Sequence, residues 1–89
     1  MVNFTWDPKK AESNLRKHRV SFEEATTVFE DTLSITGEDV HHPERTFIIG
    51  VSKRERALYC VYIERDEDET RIISARRVTP HERRRYEEG

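Results

Sequence analysis

Three consecutive segments with the composition of β-strands limit the possible folds more than any other feature of this sequence. They are residues 45–52, 57–63 and 71–75. The first alternates apolar with polar side chains, and the second is apolar on both faces, as expected of a central strand covered on each side. Short charged segments at residues 53–56 and 66–69 separate the three and are typical of hairpin turns. Consecutive hairpins predict an antiparallel sheet.

Two helices are predicted before these strands. Asp7 as N-cap and Pro8 in the first turn start the first helix, which follows a short strand at residues 2–6. Ser21 and Glu24 form a capping box that starts the second helix. The predicted inner face of the first helix consists of residues one turn apart: Ala11, Leu15 and His18.

A third helix is predicted near the C-terminus. Thr79 is its N-cap, Pro80 takes the first helical position, and Glu82 stands where a capping box has its carboxylate. With a weak strand at residues 33–36, the element order becomes β-α-α-β-β-β-β-α. This order predicts a single α+β domain over residues 1–89, a compact antiparallel sheet packed with two N-terminal helices and one C-terminal helix.

Composition limits both the core and the compartment. Of the 89 residues, 34% are hydrophobic, and a chain this short buries only roughly 60–65% of its unfolded surface. We therefore expect either modest stability or an apolar surface completed by a partner. Cys60 is the single cysteine, which excludes an internal disulfide and fits a reducing compartment. Neither a membrane span nor a signal peptide is evident, so the sequence predicts a cytoplasmic protein without a membrane partner.

Positive charge is concentrated near the C-terminus although the net charge is -2. Six arginines lie in one short stretch, at positions 71, 76, 77, 83, 84 and 85. Strand alternation predicts that Arg76 shares a face with Ile72, while Arg77 shares the other face with Ile73. Arg76 and Arg83 would then converge where the strand meets the helix and hold a phosphate. The alternative is a solvated helix face whose charge is offset by the acidic turns.

Histidines supply the other candidate chemistry. His18 on the first helix and His81 at the start of the last are of the residue type that takes a proton from a ribose 2′-hydroxyl. The alternatives are a packed helix-end residue for His18 and a solvent-exposed residue for His81. The adjacent pair His41 and His42 does not predict a metal site, because neighbouring side chains in an extended chain point apart and no cysteine cluster accompanies them.

Aromatic residues and the absence of known motifs narrow the chemistry further. Phe4, Trp6 and Tyr59 are expected in the core, whereas Tyr86 stands beside arginines and is a candidate for stacking on a base. No nucleophile elbow, P-loop, dinucleotide fingerprint or zinc spacing is present, so no cofactor and no metal are expected. Cleavage of RNA by its own 2′-hydroxyl needs only positioning, proton transfer and charge stabilisation.

Two separated blocks of the sequence resemble one known family, the BrnT toxins of bacterial type II toxin–antitoxin systems. The first block starts at Phe4 and reads FTWDPKKAESNLRKHRVSFEEATTVFED; the second starts at Arg71 and reads RIISARRVTPHERRRYEE. The resemblance implies a RelE-like fold and a metal-independent ribonuclease that cleaves RNA and inhibits translation and growth. It also implies a BrnA-type antitoxin with a ribbon-helix-helix part, a heterotetramer of the two proteins, and contact with operator DNA only through the antitoxin.

The resemblance implies functional residues as well. Its catalytic positions match basic residues of this chain: Arg76, Arg83, Lys17 and His18. The expected RNA-binding residues are Arg45, which the resemblance suggests, and three residues near the catalytic arginines, namely Arg77, Arg84 and Tyr86. Two other functions stay open from the sequence. One is a module that binds RNA or the ribosome without cutting; the other is a degenerate toxin that acts as a co-repressor with its antitoxin.

Overall fold

The computed structural model describes residues 3–66 and 68–89. These residues form three α-helices, one 3-10 turn and five strands. In chain order they are β1 (Asn3–Thr5), α1 (Pro8–His18), α2 (Phe22–Thr27), a 3-10 turn (Val28–Glu30), β2 (Ile35–Glu38), β3 (Thr46–Val51), β4 (Ala57–Asp66), β5 (Glu69–Arg77) and α3 (Pro80–Glu88).

Side-chain caps fix where α1 and α2 begin. The Asp7 carboxylate accepts a hydrogen bond from Lys9 N at 2.9 Å, and the Ser21 hydroxyl accepts one from Glu24 N at 3.0 Å. Each cap satisfies a backbone N–H that has no partner inside its helix. Arg19 ends α1 in the left-handed conformation with φ 61°. Both predicted helix starts are therefore confirmed, but the predicted capping box at Ser21 is only half formed, because the Glu24 carboxylate binds Ser52 and Arg56 instead of Ser21 N.

The five strands form one sheet in the order β1-β5-β4-β3-β2. The pairs β2–β3, β3–β4 and β4–β5 are antiparallel, as the hairpin pattern predicts, and β4 is central. Only β1 departs from this pattern, because it pairs with β5 in parallel. The α+β prediction is confirmed, and the all-antiparallel sheet is corrected to a mixed one. Hairpins determine how consecutive strands pair, but they do not determine how the first strand pairs with the last.

The main core lies between the sheet and the two N-terminal helices. It consists of fully or nearly fully buried side chains from α1–α2 and from the facing strands: Val20, Phe22, Ala25, Val28, Ile48, Leu58, Cys60, Tyr62, Ile72 and Ala75. Burial raises the pKa of the Cys60 thiol to about 12, so this cysteine is an inert apolar core residue. Phe47, Ile49 and Tyr59 lie on the opposite face, since they alternate with core residues along β3 and β4.

The inner face of α1 differs from the predicted one. Leu15 is 48% exposed, whereas Asn14 is buried. The Asn14 amide nitrogen donates to Val20 O at 2.9 Å and to Ala75 O at 2.8 Å, and its amide oxygen accepts from Ala75 N at 3.1 Å. β1 covers the edge of β5 only as far as Arg71. Asn14 therefore takes the place of a neighbouring strand at Ala75, a role that an apolar-pattern search does not detect.

A register shift in β5 resets the alternation of its side chains. Val61 pairs with Ser74 but Tyr62 pairs with Ile72, so one extra residue stands in β5. Ile72 and Ala75 consequently both face the main core although three positions separate them. Arg76 therefore lies on the face opposite Ile72, and the prediction that these two share a face is wrong.

A buried charged network connects α2 to the turn between β3 and β4. Glu24 accepts hydrogen bonds from the Ser52 hydroxyl at 2.7 Å and from Arg56 Nε at 2.9 Å, and it forms a second short contact with Arg56 Nη2. Arg56 Nη2 also donates to Arg19 O at 3.0 Å. The Glu24 side chain is 4% exposed and that of Arg56 19%. The hydrogen bonds from Arg56 lower the pKa of Glu24 although burial opposes them, so the pair is ionised.

The second strand begins later than the sequence pattern suggests. A strand is predicted at residues 33–36, but β2 starts at Ile35 and extends to Glu38, two residues beyond the predicted end. Leu33 lies in the preceding turn and is 71% exposed. An Asp31 oxygen accepts a hydrogen bond from Leu33 N at 2.9 Å, and this contact favours the turn over an extended chain.

Two predicted boundaries fall partly on residues that the structure does not describe. The strand predicted at residues 2–6 includes Val2, which lies outside the described residues, and β1 covers Asn3–Thr5. The turn predicted at residues 66–69 includes Glu67, which is also outside them. β4 ends at Asp66 and β5 begins at Glu69, so the described parts agree with a hairpin.

Candidate active site

A capping box holds the first turn of α3. The Thr79 hydroxyl accepts a hydrogen bond from Glu82 N at 3.2 Å, and Glu82 Oε1 accepts one from Thr79 N at 2.9 Å. Pro80 occupies the first helical position, where a missing N–H does no harm. The predicted start of this helix is therefore confirmed. None of the residues of α3 is buried, so polar contacts rather than an apolar face hold it on the sheet.

The strongest of these contacts joins Glu82 to Arg76 at the end of β5. Arg76 Nη1 lies 2.8 Å from Glu82 Oε1, and Nη2 lies 2.9 Å from Oε2. The guanidinium also lies over the Tyr59 ring, 4.4 Å from its centroid. Burial alone would raise the pKa of Glu82, but hydrogen bonds from Arg76 and Thr79 outweigh it and lower the pKa. Arg76 is therefore held rigidly as one member of an ion pair.

A second polar contact holds the far end of α3. The Tyr86 hydroxyl donates to Asp31 Oδ2 at 2.7 Å, and the same oxygen accepts from Val51 N at 2.8 Å. Burial would raise the pKa of Asp31, but the hydrogen bonds from Tyr86, Val51 and Leu33 lower it. The bond to Asp31 raises the pKa of Tyr86 to about 12. Tyr86 thus anchors the helix, and its predicted contact with a base stays a prediction.

Between α3 and the strand face lies a cavity of about 600 Å³, the α3 cleft. The β2–β3 loop forms one wall, α3 the other, and two aromatic rings the floor. The cleft is lined by Gly37, Glu38, Asp39, Val40, His41, Phe47, Tyr59, His81, Glu82 and Arg85. A Cβ atom at Gly37 would stand 2.6 Å from the Phe47 ring, so only glycine fits this wall.

The floor of the α3 cleft is a column of stacked rings and guanidinium groups. The rings of Phe47 and Tyr59 are nearly parallel, with centroids 5.2 Å apart. Arg85 lies over the outer face of this pair, 5.5 Å from the Phe47 centroid, and Arg76 lies over the Tyr59 ring. Burial raises the pKa of Tyr59, and the Glu82 charge adds to the effect. The Tyr59 hydroxyl therefore stays protonated at neutral pH.

Comparison with known proteins gives a family. A family model described as the ribonuclease toxin BrnT of type II toxin–antitoxin systems matches residues 6–82, which is most of the chain. The chain belongs to this family. Its structure is similar to the crystal structure of the ribonuclease toxin BrnT from Brucella abortus, with a TM-score of 0.74 and 16% sequence identity over 89% of this chain and 99% of that chain. At that identity the likeness shows the fold alone. No curated protein sequence matches the chain.

Within this BrnT-family chain, α3 presents different arginines from those the sequence predicted. The residues of α3 that line the cleft are His81, Glu82 and Arg85, whereas Arg83 and Arg84 do not line it. Positions three and four residues apart share one helix face, which explains why Arg85 accompanies His81. The sequence does not indicate Arg85, because α3 is polar on every side and has no apolar stripe that marks its inner face. Its contacts with the sheet determine which face points inward.

The cleft also brings together two histidines that the sequence separates by forty positions. His41 projects from the β2–β3 loop and His81 from the first turn of α3, and both line the cavity. The sequence signal for His81 was present, since it stands four residues before Arg85. His41 had no such signal, because its place depends on the pairing of β2 with β3. His42, its neighbour, lies 3.8 Å from Glu44 and does not line the cleft.

Lys17 and His18 lie in a different groove. They line a cavity of about 240 Å³ between α1 and the edge of β5, together with Lys10, Ser13, Asn14, Ile73 and Ser74. The two cavities share no lining residue. The predicted catalytic set is therefore divided among three places: Arg76 lies beside the α3 cleft, Lys17 and His18 lie in this groove, and Arg83 is exposed on α3 outside both cavities.

The remaining predicted RNA-binding residues are at the surface. Arg77 is exposed at the end of β5. Arg45 is partly buried, and its Nε lies 3.7 Å from a Glu44 carboxylate oxygen, which is beyond hydrogen-bond length. Within residues 3–66 and 68–89, this Nε has no hydrogen-bond partner. The RNA-binding roles of both arginines stay predictions.

Two features are absent from the described residues. Among residues 3–66 and 68–89, no group of three or more His, Cys, Asp or Glu side chains is placed to hold a metal ion. In the same part of the chain, no helix is long and apolar enough to span a membrane.

Proposed function

We propose that this chain is a metal-independent endoribonuclease and that RNA is cut in the α3 cleft. The observation that carries the proposal is the convergence of His41, His81 and Arg85 over one cavity, with Arg76 directly beside it. Two imidazoles and two guanidinium groups supply the proton transfer and charge stabilisation that cleavage by a 2′-hydroxyl needs. Membership in a family of ribonuclease toxins supports the same reaction class.

The proposed reaction is an internal transesterification. The ribose 2′-oxygen attacks the adjacent phosphorus, and the bond from phosphorus to the 5′-oxygen of the next nucleotide breaks. One of the two cleft imidazoles takes the 2′-hydroxyl proton, and the other gives a proton to the leaving 5′-oxygen. Arg76 and Arg85 stabilise the additional negative charge on the phosphoryl oxygens. The products are a 2′,3′-cyclic phosphate and a free 5′-hydroxyl.

The other predicted residues are assigned to the path of the RNA. Lys17 and His18 would bind backbone phosphates along the α1 groove, and Arg83 would bind them on the outer face of α3. These assignments follow from where the side chains lie, because none of the three lines the cleft. Each is a proposal about affinity, in contrast to the cleft histidines, whose proposed role concerns the chemical step.

The proposal is tested by incubating purified protein with a short RNA in EDTA and analysing the ends of the products. His41→Ala and His81→Ala should each lower the cleavage rate by about 100-fold. His42→Ala is the matched control, being adjacent to His41 but outside the cleft, and it should cut at the wild-type rate. A comparable loss in His18→Ala would instead move the chemistry to the α1 groove. Failure of wild-type protein to cut free RNA, or dependence of cutting on a divalent metal, would overturn the proposal.

We also propose the partners that the resemblance implies. A type II toxin has a protein antitoxin; for this chain we propose a BrnA-type protein with a ribbon-helix-helix part, bound as a heterotetramer that contacts operator DNA through the antitoxin. The toxin would act in the cytoplasm, where RNA cleavage would inhibit translation and growth, and its fold would be RelE-like. Co-purification of the two chains and the mass of their complex test this part.

A further inference from the structure

The Arg76 guanidinium is fixed on three of its sides. Its two terminal nitrogens bind the Glu82 carboxylate end-on, at 2.8 and 2.9 Å. Nη1 uses a further hydrogen to reach Arg77 O at 3.1 Å. One flat face lies over the Tyr59 ring. A long side chain with many rotamers is thereby restricted to one orientation, with most of the entropy of ordering lost before any ligand arrives.

One edge of the same guanidinium remains available. End-on pairing with Glu82 uses one hydrogen of each terminal nitrogen, and Nε together with the second hydrogen of Nη2 forms a separate donor edge. Among the described residues, 3–66 and 68–89, Arg76 Nε makes no hydrogen bond, and the Arg76 side chain is 35% exposed. This edge has the two parallel N–H groups that a phosphate accepts in a bidentate contact.

We propose that Glu82 is a positioning residue that presents the Nε–Nη2 edge of Arg76 to the RNA phosphate. The inference rests on the proposed function and assigns a residue role that the reaction itself does not require. Glu82 Oε1 also accepts the capping hydrogen bond from Thr79 N at 2.9 Å. The Glu82 carboxylate thus fixes both the Arg76 guanidinium at the end of β5 and the first turn of α3, which contains His81. Glu82 therefore links the arginine that would bind the phosphate to the helix turn that carries His81.

A different role for Glu82 would be that of a substitute for phosphate, displaced when RNA binds. The geometry favours positioning. Displacing Glu82 from Arg76 would break two charge-assisted hydrogen bonds and disturb the oxygen that caps α3, whereas a phosphate on the open edge breaks neither. The two roles predict opposite effects on RNA cleavage when the Arg76–Glu82 pair is weakened: positioning predicts slower cleavage, and competition with phosphate predicts faster cleavage. One series of variants therefore separates them.

Two substitutions at Glu82 perturb the pair in complementary ways. Glu82→Gln keeps the length and the capping oxygen, since glutamine also serves at this position of a capping box, but removes the charge. Glu82→Asp keeps the charge but is one methylene too short to reach both Thr79 N and Arg76. Positioning predicts that both lower kcat for RNA cleavage by about 10- to 100-fold, with a smaller rise in KM from the weakened phosphate contact. Glu12→Gln, which removes the carboxylate of the exposed Glu12–Arg16 pair, is the matched control.

The specific readout is a double-mutant cycle with Arg76. If Glu82 acts through Arg76, adding Glu82→Asp to Arg76→Ala should lower kcat by no more than about twofold further. A full additional loss in the double variant would mean that Glu82 acts independently, through the helix alone, and would overturn the inference. Faster cleavage or tighter RNA binding in both Glu82 variants would also overturn it, because that result identifies Glu82 as a competitor of the phosphate.

A binding measurement separates failure of this inference from failure of the proposed reaction. The probe is a fluorescent 2′-O-methyl oligoribonucleotide, which is resistant to cleavage by its own 2′-oxygen. Loss of one phosphate contact in Arg76→Ala should reduce the slope of log Kobs against log salt concentration by about 0.7. Glu82→Asp should reduce it equally, whether or not wild-type protein cuts RNA. An unchanged slope in Glu82→Asp beside a reduced slope in Arg76→Ala would refute the positioning role.

Discussion

Asn14 replaces a missing strand at the edge of β5, and Asn14→Ala is expected to destabilise the whole domain. The substitution removes the partner of three buried backbone groups: the N–H and carbonyl of Ala75 and the carbonyl of Val20. Each buried polar group left without a partner costs about 1–3 kcal/mol. Allowing for partial relaxation, we expect a loss of about 3–5 kcal/mol from a domain whose stability is on the order of 4–13 kcal/mol.

Urea denaturation followed by circular dichroism measures this loss. In a thermal melt, at about 4–8 °C per kcal/mol, the melting temperature should fall by roughly 12–40 °C. Ser13→Ala is the matched control, because Ser13 is the preceding residue of α1 and is exposed. A loss below about 1 kcal/mol in Asn14→Ala, with an unchanged m-value, would mean that water satisfies the three groups. The view of Asn14 as a substitute strand would then be refuted.

Asn14→Asp sharpens the same argument through pH. The amide nitrogen now donates to two carbonyl oxygens, and a carboxylate in its place would face both without a proton to donate. The ionised form is therefore disfavoured in the folded state, and the folded pKa rises above the unfolded value of about 3.9. The penalty should be smallest in acid and should grow as the pH rises above that value. A penalty independent of pH would contradict this account.

Two further variants test the charged contacts. Glu24→Gln leaves the Arg56 charge buried without its partner and should lower the free energy of unfolding by about 3 kcal/mol at neutral pH. Because the folded pKa of Glu24 lies below the ordinary 4.5, wild-type protein should lose this stabilisation as the pH falls below 4.5, and Glu24→Gln should show a flatter acid profile. Tyr86→Phe removes the hydrogen bond to Asp31 and should speed amide exchange in α3 more than elsewhere, by about 1 kcal/mol of local stability. Equal exchange rates in the two proteins would exclude Tyr86 as an anchor.

Local signals in the sequence predict the parts of this fold that are decided locally. The N-caps Asp7, Ser21 and Thr79 each accept a hydrogen bond from a backbone N–H within the next three residues. These caps can therefore be recognised from neighbouring residues in the sequence. The hairpins that join the central strands are likewise short-range. The parallel pairing of Asn3–Thr5 with Glu69–Arg71 and the extra residue in β5 depend on contacts between distant segments, and no local pattern encodes them.

The same distinction explains what the sequence revealed of the candidate site. Clustered arginines in the sequence point to the end of β5 and to α3, and in the structure Arg76 borders the α3 cleft. The sequence does not indicate that Glu82 is the partner of Arg76, because its position in a capping box already accounts for a glutamate there. In the structure the Glu82 carboxylate both caps α3 and binds Arg76. His41 was considered only for metal binding, since nothing in its neighbourhood indicates that the β2–β3 loop folds toward α3.

The parallel pairing of β1 with β5 has a consequence for the order of events during synthesis. Residues 3–5 are made early, but the strand that receives them, residues 69–71, is made late. The hydrogen bonds of Asn14 to Ala75 also form only after β5 has been made, because Ala75 belongs to that strand. The wall of the α3 cleft follows later still. This toxin-family chain therefore completes its sheet only after β5 has been made, and it does not fold step by step during synthesis. A nascent chain that ends before residue 69 lacks both the strand that pairs with β1 and the candidate site.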